Sequence, residues 1–238
     1  MGSTIRLTAS DGHQLEAYRA DPDGAVRGGV VVIQEVFGLT DHIQRVTDGF
    51  AAEGFVAIAP AMFDRVEPGL QLDYSDVETG RDTMLQLDQD QAVLDMQAAL
   101  DALGTERRAV VGYCWGGAMA DLAACELEID AAVSYYGGRI TSWLDSQPGC
   151  PVIYHFGAKD PLIPPEVVEQ IRGARPEGEF HVYEEAGHGF NCDERPDFHP
   201  ESAALALERS LAFLSRHLPS STPPPPRPCS RGRRSRIR

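Results

Sequence analysis

The chain has 238 residues, 42% hydrophobic and 24% charged, with a formal net charge of −15; this suits one large α/β domain rather than a fibrous or disordered protein. No apolar run approaches the roughly 18 residues of a membrane span, and the N-terminus lacks the apolar core of a secretory signal, so the cytoplasm is the default expectation. Six arginines crowd the last twelve residues, leaving 15 basic against 36 acidic side chains, a net of −21, in residues 1–226. Such a body should repel nucleic acid and anionic membrane, and an anionic substrate would need a local arginine.

In chain order, Thr4–Thr8 and Leu15–Arg19 alternate around Asp11-Gly12 and predict an N-terminal hairpin. Gly28–Gln34 is a continuous apolar run, as expected of a strand buried on both faces. Asp41–Glu53 reads as a helix with Asp41 as N-cap and Gly54 at its end, and Phe55–Ala59 as a second buried strand stopped by Pro60. Residues 61–80 are irregular and acidic, long enough for a functional loop. Asp88–Leu103 has helical periodicity, with Val93, Leu94, Met96, Leu100 and Leu103 on one face. Further strands are expected at Arg108–Tyr113, Ala131–Tyr136, Pro151–Phe156 and Glu179–Glu184, and helices at Ala118–Glu126, Glu166–Arg172 and Glu201–Leu218. The alternation predicts one α/β domain over residues 1–218, its mainly parallel sheet covered by helices on both faces. Residues 219–238, rich in Pro, Ser and Arg, read as a disordered tail.

The hexapeptide Gly112-Tyr113-Cys114-Trp115-Gly116-Gly117 sits between an apolar strand and an alanine-rich helix. Its glycines, two before and two after a nucleophile-type residue, have the spacing of a nucleophile elbow with cysteine at the centre. The five cysteines are odd in number and scattered, which argues against a disulfide framework or a zinc site. A thiol nucleophile needs a base, a group orienting that base, and donors for the oxyanion. Asp160, within Gly157-Ala158-Lys159-Asp160-Pro161, and His188, within Ala186-Gly187-His188-Gly189-Phe190, each follow a predicted strand, in the order nucleophile, acid, histidine. Glu35, ending the first buried strand, is costly there unless paired or used. The loop it begins supplies one oxyanion donor, so the N–H groups of Val36 and Trp115 form the natural pair, with Glu35 close enough to touch Cys114. His181, Glu185 and His188 do not make a helical metal motif, and neither metal nor cofactor is expected.

These motifs, with Gln34-Glu35-Val36-Phe37-Gly38, resemble the dienelactone hydrolase (carboxymethylenebutenolidase) family of the α/β-hydrolase fold, over about residues 4–218. The resemblance implies a Cys114–His188–Asp160 triad that opens an enol-lactone through an acyl-cysteine intermediate. It also implies that Glu35 accepts the thiol hydrogen at rest. The family's two carboxylate-binding arginines match less well: none stands within a few residues after His188, the next being Arg195, and Arg81 is a candidate for the other. Phe37, Trp115, Tyr135 and Tyr136 are candidates to line the pocket, with Arg81, Phe37 and Tyr135 as the expected substrate contacts. The expected partner is a small lactone or ester, with no nucleic acid or membrane, acting on a monomer. Two other readings stay open: a promiscuous esterase or thioesterase, and a degenerate hydrolase serving as a binding or sensor module.

Overall fold

The computed structural model describes residues 2–218; the expected tail lies outside the described residues. The first two strands, β1 (Ser3–Thr8) and β2 (Gln14–Ala20), pair antiparallel as the predicted hairpin. Then follow β3 (Gly28–Ile33), α1 (Asp41–Ala52), β4 (Phe55–Pro60), α2 (Val77–Leu85), α3 (Gln89–Ala102) and β5 (Arg108–Tyr113). The chain closes with α4 (Trp115–Glu126), β6 (Ala131–Tyr135), β7 (Val152–Gly157), α5 (Pro165–Ala174), β8 (Glu179–Tyr183) and α6 (Pro200–His217). All eight strands join one sheet in the order β1-β2-β4-β3-β5-β6-β7-β8, parallel from β4 onward.

Every residue of β3, β4, β6 and β7 is buried, which is why each reads as an uninterrupted apolar run. Successive strand residues point to opposite faces. Thus Tyr154 of β7 bonds Asp121 on α4, while its neighbour His155 bonds Ser210 on α6. Helices therefore cover both faces. Strand order reverses between β3 and β5, since β3 continues outward to β4 and β5 in the other direction to β6. Loops diverge at such a switch point and leave a crevice beyond the carboxyl ends of the strands.

Two local expectations are corrected. The N-cap of α1 is Thr40, whose hydroxyl accepts from the Ile43 N–H, and Asp41 instead sits in the first turn, where its charge favours the helix dipole. The stretch expected to be irregular contains a 3-10 turn at Met62–Arg65 and the start of α2. Among the described residues, no helix is long and apolar enough to cross a membrane.

The helix behind the elbow, α4, is buried from Trp115 through Ala124, including one charged residue, Asp121. Its carboxylate accepts from Arg175 (3.0 Å), Trp143 Nε1 (2.9 Å) and Tyr154 OH (2.6 Å), so its charge is paired and its oxygens are satisfied. Removing it leaves the Arg175 guanidinium buried without a counter-charge. Asp121→Ala should therefore cost ~3–5 kcal/mol, read as a lowered denaturant midpoint. A midpoint within error of the wild type would show that the pair does not support α4.

Candidate active site

Register sets the level of the site. Ile33 of β3 pairs with Gly112 of β5, so the residues just past both strands, 34–36 and 113–115, emerge side by side. At Cys114 the backbone adopts φ 57° and ψ −116°, a region that costs a non-glycine residue on the order of 1–3 kcal/mol. The turn is so tight that a Cβ on Gly112 would collide with the Gly116 carbonyl. Cys114 N–H is fixed to the Tyr135 carbonyl at 3.0 Å. This geometry lifts the thiol out of the sheet into a cavity of about 450 Å³, within the usual range for small-molecule sites.

His188 and Asp160 arrive from the loops after β8 and β7. His188 Nε2 lies 3.1 Å from Cys114 Sγ, and its Nδ1 lies 2.7 Å from Asp160 Oδ2. The other carboxylate oxygen accepts from the Leu162 N–H at 2.8 Å, which fixes the plane of Asp160. Burial alone would push His188 down. The negative charge at Cys114 and the hydrogen bond to Asp160 outweigh it and hold His188 up to about 10. His188 thus faces Cys114 Sγ as the proton-handling group of the pair, with Asp160 holding its other nitrogen.

Val36 and Trp115 flank the thiol, and among the described residues neither backbone N–H is used in a hydrogen bond to another backbone group. Phe37 and Arg81 line the same cavity, as expected. Tyr135 does not. It is fully buried, its hydroxyl 2.8 Å from Ser210 on α6 and its ring stacked on Tyr113. Tyr136 takes its place, because a backbone φ of 40° turns that ring off the strand and edge-on to His188, 5.3 Å away.

Glu35 is placed beside the site, but its partner differs from the expected one. The carboxylate is 2% exposed, and its Oε1 accepts from Arg195 at 3.2 Å while Oε2 has no partner among the described residues. A buried carboxylate gains more from a guanidinium than from a neutral thiol. Arg195 reaches back because two successive turns, Cys192 N–H to Gly189 O and Arg195 N–H to Cys192 O, reverse the chain after His188. Gly189 has φ 79°, and a Cβ there would strike the guanidinium. The Arg195 head also sits 5.5 Å over the Phe37 ring. Counting residues from the histidine hides this contact; the signal in the sequence is the glycine-cysteine turn.

Potential metal ligands meet at one place among the described residues, where atoms of His42, Cys192 and Asp193 lie within 4.8 Å of one another. Asp193 Oδ1 is already taken by His42 Nδ1 (2.9 Å) and Arg45 (3.1 Å), and burial pushes the Cys192 thiol up to about 11. The group acts as a latch tying the segment after His188 to α1. His181 and Glu185 are engaged by Glu179 and Lys159 instead of meeting His188.

The model of the dienelactone hydrolase family matches residues 15–218. A carboxymethylenebutenolidase of Pseudomonas putida is 32% identical, over 89% of this chain and 95% of its own. A Yersinia pestis protein bearing the carboxymethylenebutenolidase name is 36% identical over 91% of this chain and 89% of its own. A solved Klebsiella pneumoniae chain bearing the dienelactone hydrolase name superposes with a TM-score of 0.79 at 30% identity, covering 91% of this chain and 99% of that one.

The charge balance at His188 is testable. Cys114→Ala removes the main group holding the imidazole proton and leaves the burial that opposes it, so His188 should titrate well below its wild-type value of about 10. Imidazole NMR titration reads this directly. An unchanged value would assign the proton's retention to Asp160 alone.

Proposed function

The chain belongs to the dienelactone hydrolase family and is a carboxylic ester hydrolase of that type; from that premise we propose that it opens an enol-lactone or related ester through an acyl-cysteine intermediate. The observation that carries this reading is the unbroken line Asp160–His188–Cys114, at 2.7 and 3.1 Å, set at the carboxyl ends of β7, β8 and β5.

In this reading, the Cys114 thiolate attacks the carbonyl carbon, forming a C–S bond as the carbonyl electrons move to oxygen. The N–H groups of Val36 and Trp115 receive that oxyanion. Collapse breaks the ring C–O bond, and the His188 imidazolium gives its proton to the leaving oxygen. Neutral His188 then takes a proton from water, whose oxygen attacks the thioester, and the acid product departs with the thiolate restored. Asp160 keeps the imidazole in the tautomer that both steps need.

Glu35 has two roles open to it by charge. As the thiol's acceptor it would hold Cys114 in reserve. Bound to Arg195, as here, it leaves the thiol to His188. A guarded thiol suffers less oxidation than a standing thiolate.

Mass spectrometry of enzyme quenched with a lactone and ester panel should find the acyl group on Cys114. Cys114→Ala should abolish turnover. Cys114→Ser should retain little, because a hydroxyl lacks the accessible anion of a thiol with an ordinary pKa near 8.5. His188→Gln should lose on the order of 10²–10⁴ in kcat. Turnover surviving in the Ala variant, with no adduct on wild-type Cys114, would reject the mechanism. A dienelactone cleaved no better than p-nitrophenyl acetate would reject the lactone as preferred substrate.

A further inference from the structure

The latch that ties the segment after His188 to α1 contains a thiol for which the chemistry at Cys114 has no use. Among the described cysteines only Cys192 is fully buried. Its sulfur, an imidazole nitrogen of His42 and a carboxylate oxygen of Asp193 lie within 4.8 Å of one another. The donors converge because the fold brings two segments together. His42 is the second residue of α1, and Cys192 and Asp193 belong to the turns that follow His188.

One soft sulfur, one imidazole and one carboxylate make a donor set that suits zinc-class ions, whereas magnesium and calcium take oxygen ligands. Tetrahedral bonds of about 2.0 Å to nitrogen and oxygen and about 2.3 Å to sulfur give donor-to-donor edges of roughly 3.3–3.6 Å. The His42–Asp193 contact at 2.9 Å and the 4.8 Å limit bracket those edges, so closing around an ion asks for shifts on the order of 1 Å.

The contacts that close the latch are compatible with an ion. Asp193 also accepts from Arg45 at 3.1 Å, but Arg45 holds Glu194 at 2.6 Å and keeps that carboxylate when Asp193 turns to a metal. The Asp193 side chain is half-exposed and gives a way in. The Tyr74 hydroxyl and the Glu194 N–H lie beside the Cys192 sulfur as donors, and such outer donors steady a metal-bound thiolate. On binding, the S–H bond breaks, a sulfur–metal bond forms and the proton leaves to solvent.

We propose that Cys192, His42 and Asp193 form a binding site for a thiophilic divalent cation of the zinc class, with solvent as the fourth ligand. Cys192 is shared by both turns after His188, its N–H donating to Gly189 O and its carbonyl accepting from Arg195 N–H. An ion on its sulfur therefore ties those turns to α1 and steadies the path from His188 to Arg195. Because the three donors meet only in the folded chain, the ion stabilises that state.

The test uses the full chain carrying Cys114→Ala, which removes the other thiol–imidazole pair, and Co2+ as the probe. Titration should develop a thiolate-to-cobalt charge-transfer band with tetrahedral d–d bands at a single equivalent, and Zn2+ should displace it. Adding Cys192→Ser should abolish the charge-transfer band. His42→Gln and Asp193→Asn should each lower Zn2+ affinity by at least the roughly 10–100-fold that loss of an outer partner costs. Zn2+ should raise the thermal midpoint of Cys114→Ala but not of the Cys114→Ala/Cys192→Ser protein. Asp193→Asn, on the exposed side, serves if Cys192→Ser does not fold. No charge-transfer band in Cys114→Ala overturns the site. So does a band that survives Cys192→Ser, or an affinity unchanged in Asp193→Asn, since either places the ion on other groups. With Cys114 absent throughout, no outcome bears on the acyl-cysteine reading.

Discussion

The backbone at Cys114 is the constraint around which the rest of the site is arranged. A residue at φ 57° and ψ −116° persists only where its surroundings over-determine it. Here β5 is clamped between β3 and β6, Cys114 N–H is tied to Tyr135 O, and α4 behind it is buried over ten consecutive residues. The Asp121–Arg175 pair then fixes α4 to α5 and, through Tyr154 and Trp143, to β7 and the turn before it. The strain has a chemical return. The same turn that raises the thiol also brings the first free N–H of α4 next to it, where a helix N-terminus favours negative charge.

Around that turn, short polar contacts link the catalytic groups and the buried carboxylate beside them. Asp160 faces His188, His188 faces Cys114, and Glu35 faces Arg195. Each buried charge has a partner, which is the condition for its being there at all. Glu35 is the least saturated member, with Oε2 unpartnered among the described residues. The resting contact implied by the family and the Arg195 contact observed here satisfy the same buried carboxylate in alternative ways.

Much of this was legible in the sequence because the central strands are buried on both faces and their ends carry the chemistry. The runs Gly28–Gln34 and Arg108–Tyr113 mark β3 and β5, and Cys114, Asp160 and His188 each stand a few residues beyond a strand. The remainder depended on backbone dihedrals and chain reversals that residue spacing does not encode. Period-two alternation gives no reason to choose Tyr136 over Tyr135, since only the positive φ of Tyr136 turns it into the cavity. Arg195 is hidden by two turns that shorten a seven-residue separation. The helix α2 is masked by its acidic, weakly patterned sequence; Met84 is buried while Leu85 is left exposed against the cavity.

The acidic body and the basic cavity wall bear together on how substrate is chosen. At physiological salt the field of a distant charge is lost beyond about 8 Å, so the excess of carboxylates neither steers an anion in nor strongly repels one already at the mouth. Selection then falls to contacts made inside the cavity. There the sign of the charge reverses, because Arg81 and Arg139 have no carboxylate partner among the described residues, while Val77, Met84, Leu85 and Ile163 supply apolar wall. A small neutral ester could fill the apolar part but would leave both guanidiniums without a partner. Discrimination among esters then follows from the difference between bound states rather than from the rate of encounter.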